Sequence, residues 1–138
     1  MKKILVKINS GILSAICIFV ILYLTLAPKP LPDMDLGLDY SDKIAHLLLF
    51  FVATCIFYFD YIKYRYPRHP RLDVIIAITL SSVIFGGLIE LLQELMGMGR
   101  HQDIYDFVFN TIGAILAFVI SELFLLKPAR SLIKSVRK

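Results

Sequence analysis

Four apolar runs, at about residues 8–27, 44–61, 74–95 and 104–126, constrain this chain more than any other feature. Each is roughly the 17–25 residues that a helix needs to cross the hydrocarbon layer of a bilayer. The mean hydropathy of +0.74 is more than a water-soluble surface carries. With no water in the lipid core, every backbone amide has to bond within its own segment. Continuous runs without period-two alternation therefore predict helices and exclude a barrel. The fold class expected is all-α, an integral membrane bundle of four transmembrane helices forming one domain over 1–138.

The first run follows Lys2, Lys3 and Lys7, a pattern shared with secretory signal peptides. Its length of roughly 20 residues exceeds a signal core, Pro28 blocks cleavage after Ala27, and Ile16 is a poor neighbour for a lipoprotein signal at Cys17. A retained helix is expected. Cys17 and Cys55 each lie within an apolar run and read as small buried hydrophobes.

Orientation follows from the basic residues, because cytoplasmic loops carry the Lys and Arg excess. Lys2, Lys3, Lys7, Lys63, Arg65, Arg68, Arg71, Lys127, Arg130, Lys134, Arg137 and Lys138 fall on one side, against Lys29, Lys43 and Arg100 on the other. Twelve against three predicts both termini in the cytoplasm. Tyr58, Tyr61, Tyr64 and Tyr66 mark the inner interface, and Tyr23, Tyr40 and Tyr105 the outer one. The formal charge of +4 comes from connections between apolar runs, not from a basic stripe on a folded surface, which excludes nucleic acid as a partner. The outer connection 28–43 is rich in Pro and Asp and predicted to be extended or turn-like, and the inner one, 62–72, is short and basic, an anchor at the lipid surface.

Ionisable groups inside spanning segments are costly and default to a functional reading. Asp42 and His46 share a face of the second helix, Glu90, Gln93 and Glu94 one of the third, and Asp103, Asp106 and Asn110 one of the fourth, after Arg100 and His101. All lie toward the extracytoplasmic end. From the helical rise, His46 is about 6 Å below Asp42, Glu90 about 7 Å below Leu95 and Asn110 about 10 Å below Asp103. Small residues beneath them, Ser82 and Gly86, Gly113 and Ala117, and Ala53, turn these faces toward one another. A polar pocket shared by three helices is predicted. Asp42 or Ser41, Asp103 and Asp106 also suit helix caps. Glu94 reads as a solvated end charge, and Asp60, Asp73 and Glu122 as caps or partners of inner-face Lys and Arg. A metal would find His46, Glu90 and Asp106 as ligands, but without local spacing such as H-E-x-x-H neither metal nor cofactor is expected.

At these positions the sequence resembles the VanZ-like family of bacterial membrane proteins, named for a member associated with teicoplanin resistance. The resemblance covers most of the chain. It rests on Asp42-Lys43-Ile44-Ala45-His46, on Gly87-Leu88-Ile89-Glu90-Leu91-Leu92-Gln93, on Arg100, and on Asp106, Asn110, Thr111 and Gly113 within 103–113. Carried over by position, the family pattern picks out Asp42, Lys43, His46, Glu90, Gln93, Arg100, Asp106, Asn110 and Gly113. His101, Gln102, Asp103, Ile104 and Tyr105 depart from the Ser-rich linker of the pattern. The resemblance implies a bacterial cytoplasmic membrane location and an envelope role with membrane lipids, and either a lipid-linked cell-wall precursor or a glycopeptide, as partners. Three functions follow: binding of such a ligand at the outer pocket, hydrolase or transferase chemistry by His46 with Glu90 or Asp106, and a purely structural polar clamp.

Overall fold

The computed structural model describes residue 6 and residues 8–26, 41–96 and 104–136. Of these, 91% are helical, and no strand occurs among the described residues. Helix α1 is Ile12–Leu26, α2 Ser41–Arg65, α3 Leu72–Met96 and α4 Ile104–Ile120; a π-helical turn, Ser121–Leu125, leads directly into α5, Leu126–Val136.

Three helical stretches, Asp42–Arg65, Leu72–Met96 and Ile104–Phe124, are long and apolar enough to cross a membrane, while α1 is a shorter apolar helix. Among the described residues the first run yields 15 helical residues, where a run of about 20 was expected. Gly11 accounts for the late start: its φ of 96° lies in the left-handed region, and Ile12 N–H closes a turn onto Asn9 O before regular helix begins. By contrast α2 runs past its predicted end at 61, so Ile62, Lys63, Tyr64 and Arg65 are helical and not part of a loop.

The last run ends differently from its prediction. Instead of stopping at 126 the chain stays helical to Val136. Pro128 lacks an N–H and would press on the carbonyl of Phe124 in a regular helix. The π turn before it relieves this: Leu126 N–H bonds Ser121 O, one residue further back than α-helical geometry sets. Beyond it α5 is amphipathic. Ile133 is fully buried against Val6 and Ile62, whereas Lys127 and Lys134 are exposed.

Inside and outside are inverted relative to a water-soluble bundle. Phe19, Leu80, Ile84, Leu95 and Phe124 are exposed. The interior holds Thr25, Thr54, Thr79, Ser82, Gly86, Gly113, Ala114, Ala117 and Ser121. Lipid already solvates large side chains, so buried small residues and interhelical hydrogen bonds hold such helices together. Helix α2 is central. Phe50 and Ala53 pack with Ile21 of α1 and Ile89 of α3, and Tyr58 packs with Ile75 of α3 and Ala117 of α4. Tyr58 also shares a hydrogen bond with Thr79 of α3. The closest approach is between α2 and α4. A Cβ on Gly113 would drive into the carbonyl oxygen of Leu47 and come within 3.0 Å of the Phe51 nitrogen.

Candidate functional site

Close packing at the small residues brings five polar side chains from three helices together near the 41, 96 and 104 ends. Gly113 lets α4 lie against the α2 backbone one turn from His46. Gly86 leaves room for Asn110, whose Cβ would be 3.1 Å from any Cβ placed there. Asn110 Nδ2 donates to Glu90 Oε1 at 3.1 Å. That bond turns the Asn110 carbonyl toward α2, where Nδ1 of His46 lies 3.1 Å from Oδ1 and, as the partner able to give a proton, donates. The other ring nitrogen, Nε2, is 3.7 Å from Asp106 Oδ2, and Lys43 Nζ is 3.4 Å from Asp106 Oδ1. Lys43 also stands 5.9 Å above the centroid of the Tyr105 ring.

The arrangement is graded in depth. Asn110 is 0% and Glu90 1% exposed. Nearer the end of the bundle, the side chains of Lys43, His46 and Asp106 keep 13–14% of their surface. Beneath this partly exposed cation, imidazole and carboxylate, the buried Glu90–Asn110 pair fixes the imidazole through Nδ1. One ligand atom from each of His46, Glu90 and Asp106 lies within 4.8 Å of the others, so a histidine and two carboxylates from three helices converge on one point.

A sequence model of the family described as VanZ/LLP1 matches residues 12–125, most of the chain and all of the site just described. The chain belongs to the VanZ-like family. No curated protein and no solved structure matches it.

Among the positions that the VanZ-like pattern singles out, Lys43, His46, Glu90, Asp106 and Asn110 meet in one cluster. Asp42 stands at its edge, 62% exposed and 3.5 Å from Lys43 Nζ. Gln93 departs from the shared-pocket expectation. Its amide turns to α1 and donates to the Thr25 carbonyl at 2.8 Å, while the Thr25 hydroxyl bonds Ile21 O. Glu90 and Gln93 are three residues apart, and a helical face that wide reaches two different neighbours. Arg100, His101 and Asp103 lie outside the described residues. Glu94 is exposed, in keeping with an end charge.

At the opposite end, Asp73 pairs with Arg71 and Asp60 with Lys63, the nearby basic partners expected for them. Lys63, however, is fully buried. Its ion pair with Asp60 is 2.8 Å long, and Asp60 also accepts the backbone and hydroxyl protons of Ser14 at 2.9 and 2.8 Å. Ser14 is unremarkable in sequence; an acid and a base at i, i+3 near a helix end was the available signal. Glu122 occupies the π turn, and its Oε1 is buried with no hydrogen-bond partner among the described residues. Cys17 and Cys55 are free thiols within their helices.

Proposed function

We propose that this VanZ-like protein crosses the bacterial cytoplasmic membrane four times with both termini in the cytoplasm. In this reading the Lys43–His46–Asp106 face, at the extracytoplasmic end, binds the polar part of a lipid-linked cell-wall precursor or of a teicoplanin-type glycopeptide. The observation that carries it is the depth gradient: three partly exposed charged or titratable groups lie together over a fully buried Glu90–Asn110 hydrogen bond that braces His46 among them. A brace of that kind preorganises groups for an external partner. Ligands of both classes carry anionic and amide groups, which an ammonium, an imidazole and a carboxylate are chemically equipped to meet.

Four spans are supported by how α1 is tied. Ser14, near its start, bonds Asp60 toward the end of α2, and Thr25, near its end, accepts from Gln93 toward the end of α3. The two ties are eleven residues apart, so α1 covers about 16 Å of depth beside the longer helices. The distribution of Lys and Arg supports the orientation.

The test is binding to purified protein in lipid nanodiscs. Saturable binding of a lipid-linked wall precursor or of teicoplanin is expected, weakened at least ten-fold by Lys43→Ala and by His46→Ala. If neither ligand binds saturably, or both substitutions leave binding intact, the proposal fails.

A second reading, hydrolase or transferase chemistry on a lipid-linked substrate, is favoured by one feature. His46 is oriented through Nδ1 while Nε2 faces a carboxylate, the disposition of a general acid or base. Folded, inserted His46→Ala and Glu90→Gln proteins with undiminished turnover or phenotype would exclude it.

A further inference from the structure

We propose that a cavity between the start of α3, the connection before it and the start of α5 binds the headgroup of a phosphatidylglycerol-type lipid, a monoanionic phosphodiester with free hydroxyls. It lies at the opposite end of the bundle from the His46 cluster and shares no residue with it.

The cavity has a volume of about 460 Å3, and His69, Leu72, Glu122, Leu126, Lys127 and Arg130 are in its wall. The π turn brings its charges together. At about 100° per residue, a regular helix would carry Lys127 roughly 140° round from Glu122, onto a different face. The step from Ser121 O to Leu126 N–H absorbs one residue and takes back about 100°, so Lys127 and Arg130 line the same cavity as Glu122.

The charges suit one phosphate. Arg130 is held in place by Nη1 and Nη2, which donate to the Arg68 and Pro67 carbonyls at 3.1 Å each. Those acceptors are neutral, so the guanidinium is positioned without being neutralised. Neither Arg130 nor Lys127 forms an ion pair among the described residues. With His69 neutral, Lys127 and Arg130 against Glu122 leave a formal charge of +1, which one phosphodiester balances and a zwitterionic headgroup does not.

Glu122 distinguishes among anionic headgroups. Its Oε1 has no hydrogen-bond partner among the described residues, and a carboxylate, with only acceptors to offer, is stabilised by a donor in the cavity. Glycerol hydroxyls supply donors beside the phosphate. Leu72 in the wall is 56% exposed, and Leu123 and Phe124 of the π turn are each 67% exposed. The cavity therefore adjoins surface that lipid chains cover, and a headgroup can enter it while its own chains stay in the bilayer.

Purified, delipidated full-length protein in detergent is titrated with phosphatidylglycerol and read by native mass spectrometry. Saturation at one retained lipid is expected, bound about five-fold more tightly than phosphatidylethanolamine and several-fold more tightly than phosphatidylmethanol, which has the same charge and no hydroxyl. Lys127→Gln and Arg130→Gln each weaken binding about five-fold, Glu122→Ala removes the preference over phosphatidylmethanol, and Lys134→Gln, at an exposed lysine of α5 outside the cavity, leaves binding unchanged. Arg130 also ties down the connection, so melting of each variant is followed, and exposed Lys127 carries the test if Arg130→Gln unfolds. Equal retention of the three lipids overturns the site. So does a loss in Lys134→Gln equal to that in Lys127→Gln, the sign of diffuse attraction to a basic surface, or displacement of the lipid by equimolar water-soluble glycerol phosphate, the sign of a free-phosphate site. Wall-precursor and teicoplanin binding on the same samples depends on Lys43 and His46 and not on Lys127, so either proposal can fail alone.

Discussion

Asn110 and Gly113 carry different burdens although both are buried on the same face of α4. Gly113 sets the distance between α4 and α2, because a methyl group there meets backbone rather than a side chain that could swing aside. Gly113→Ala is expected to destabilise the bundle by about 1–3 kcal/mol, the usual effect of overpacking, read as a lower unfolding midpoint in detergent. Asn110 joins three helices through two hydrogen bonds. Replacing it with Ala removes both and leaves polar groups of Glu90 and His46 to find new partners, a loss of about 1–3 kcal/mol. Asn110→Asp tests polarity instead of size. A carboxylate cannot donate to Glu90, so this near-isosteric change should destabilise as much as Ala does; a protein of undiminished stability would contradict the assigned donor and acceptor roles.

At the scale of helices, much was legible in advance. Apolar length located the spanning stretches, and i, i+4 spacing placed His46, Glu90, Asp106 and Asn110 on faces that do meet. What spacing cannot supply is which neighbour a face meets. Gln93 follows Glu90 by three residues yet serves α1, and Lys63, one of the basic residues on which the predicted orientation rests, lies wholly inside the protein. Nor does composition reveal that a chain with Pro128 stays helical, since the π turn that accommodates the proline is a tertiary compromise. The Asp60–Lys63 pair gives a sharp test. Breaking a buried ion pair from one side is expected to destabilise by about 3–5 kcal/mol, whereas replacing both partners with apolar groups of similar size is much milder. Asp60→Asn should therefore lower thermal stability more than the double change Asp60→Leu with Lys63→Met. Because Asp60 also anchors Ser14, the single variant should in addition raise the rate at which Cys17 of α1 reacts with a membrane-permeant maleimide.

For the molecule as a whole, the two polar clusters and the charge distribution make one argument about orientation. The buried Asp60–Lys63–Ser14 group ties α1 to α2 at the end of the bundle that carries the connection around His69, the Arg130 contacts to Pro67 and Arg68 carbonyls, and amphipathic α5. The Glu90–Asn110–His46–Asp106 group ties α2, α3 and α4 at the other end. In the proposed orientation the basic end faces the anionic inner leaflet, where each Lys or Arg near the surface is worth about 1 kcal/mol. Flipping the protein would forfeit that attraction and carry nine more basic residues across the bilayer than the predicted orientation does, from the twelve-to-three distribution. In a Cys17→Ala, Cys55→Ala background, a single cysteine replacing the exposed His69 should react with an impermeant thiol reagent only after the cells are opened. One replacing the exposed Met96 should react in intact cells or spheroplasts. The reverse pattern would put the His46 cluster in the cytoplasm. Wall precursors exposed outside and glycopeptides would then be out of its reach.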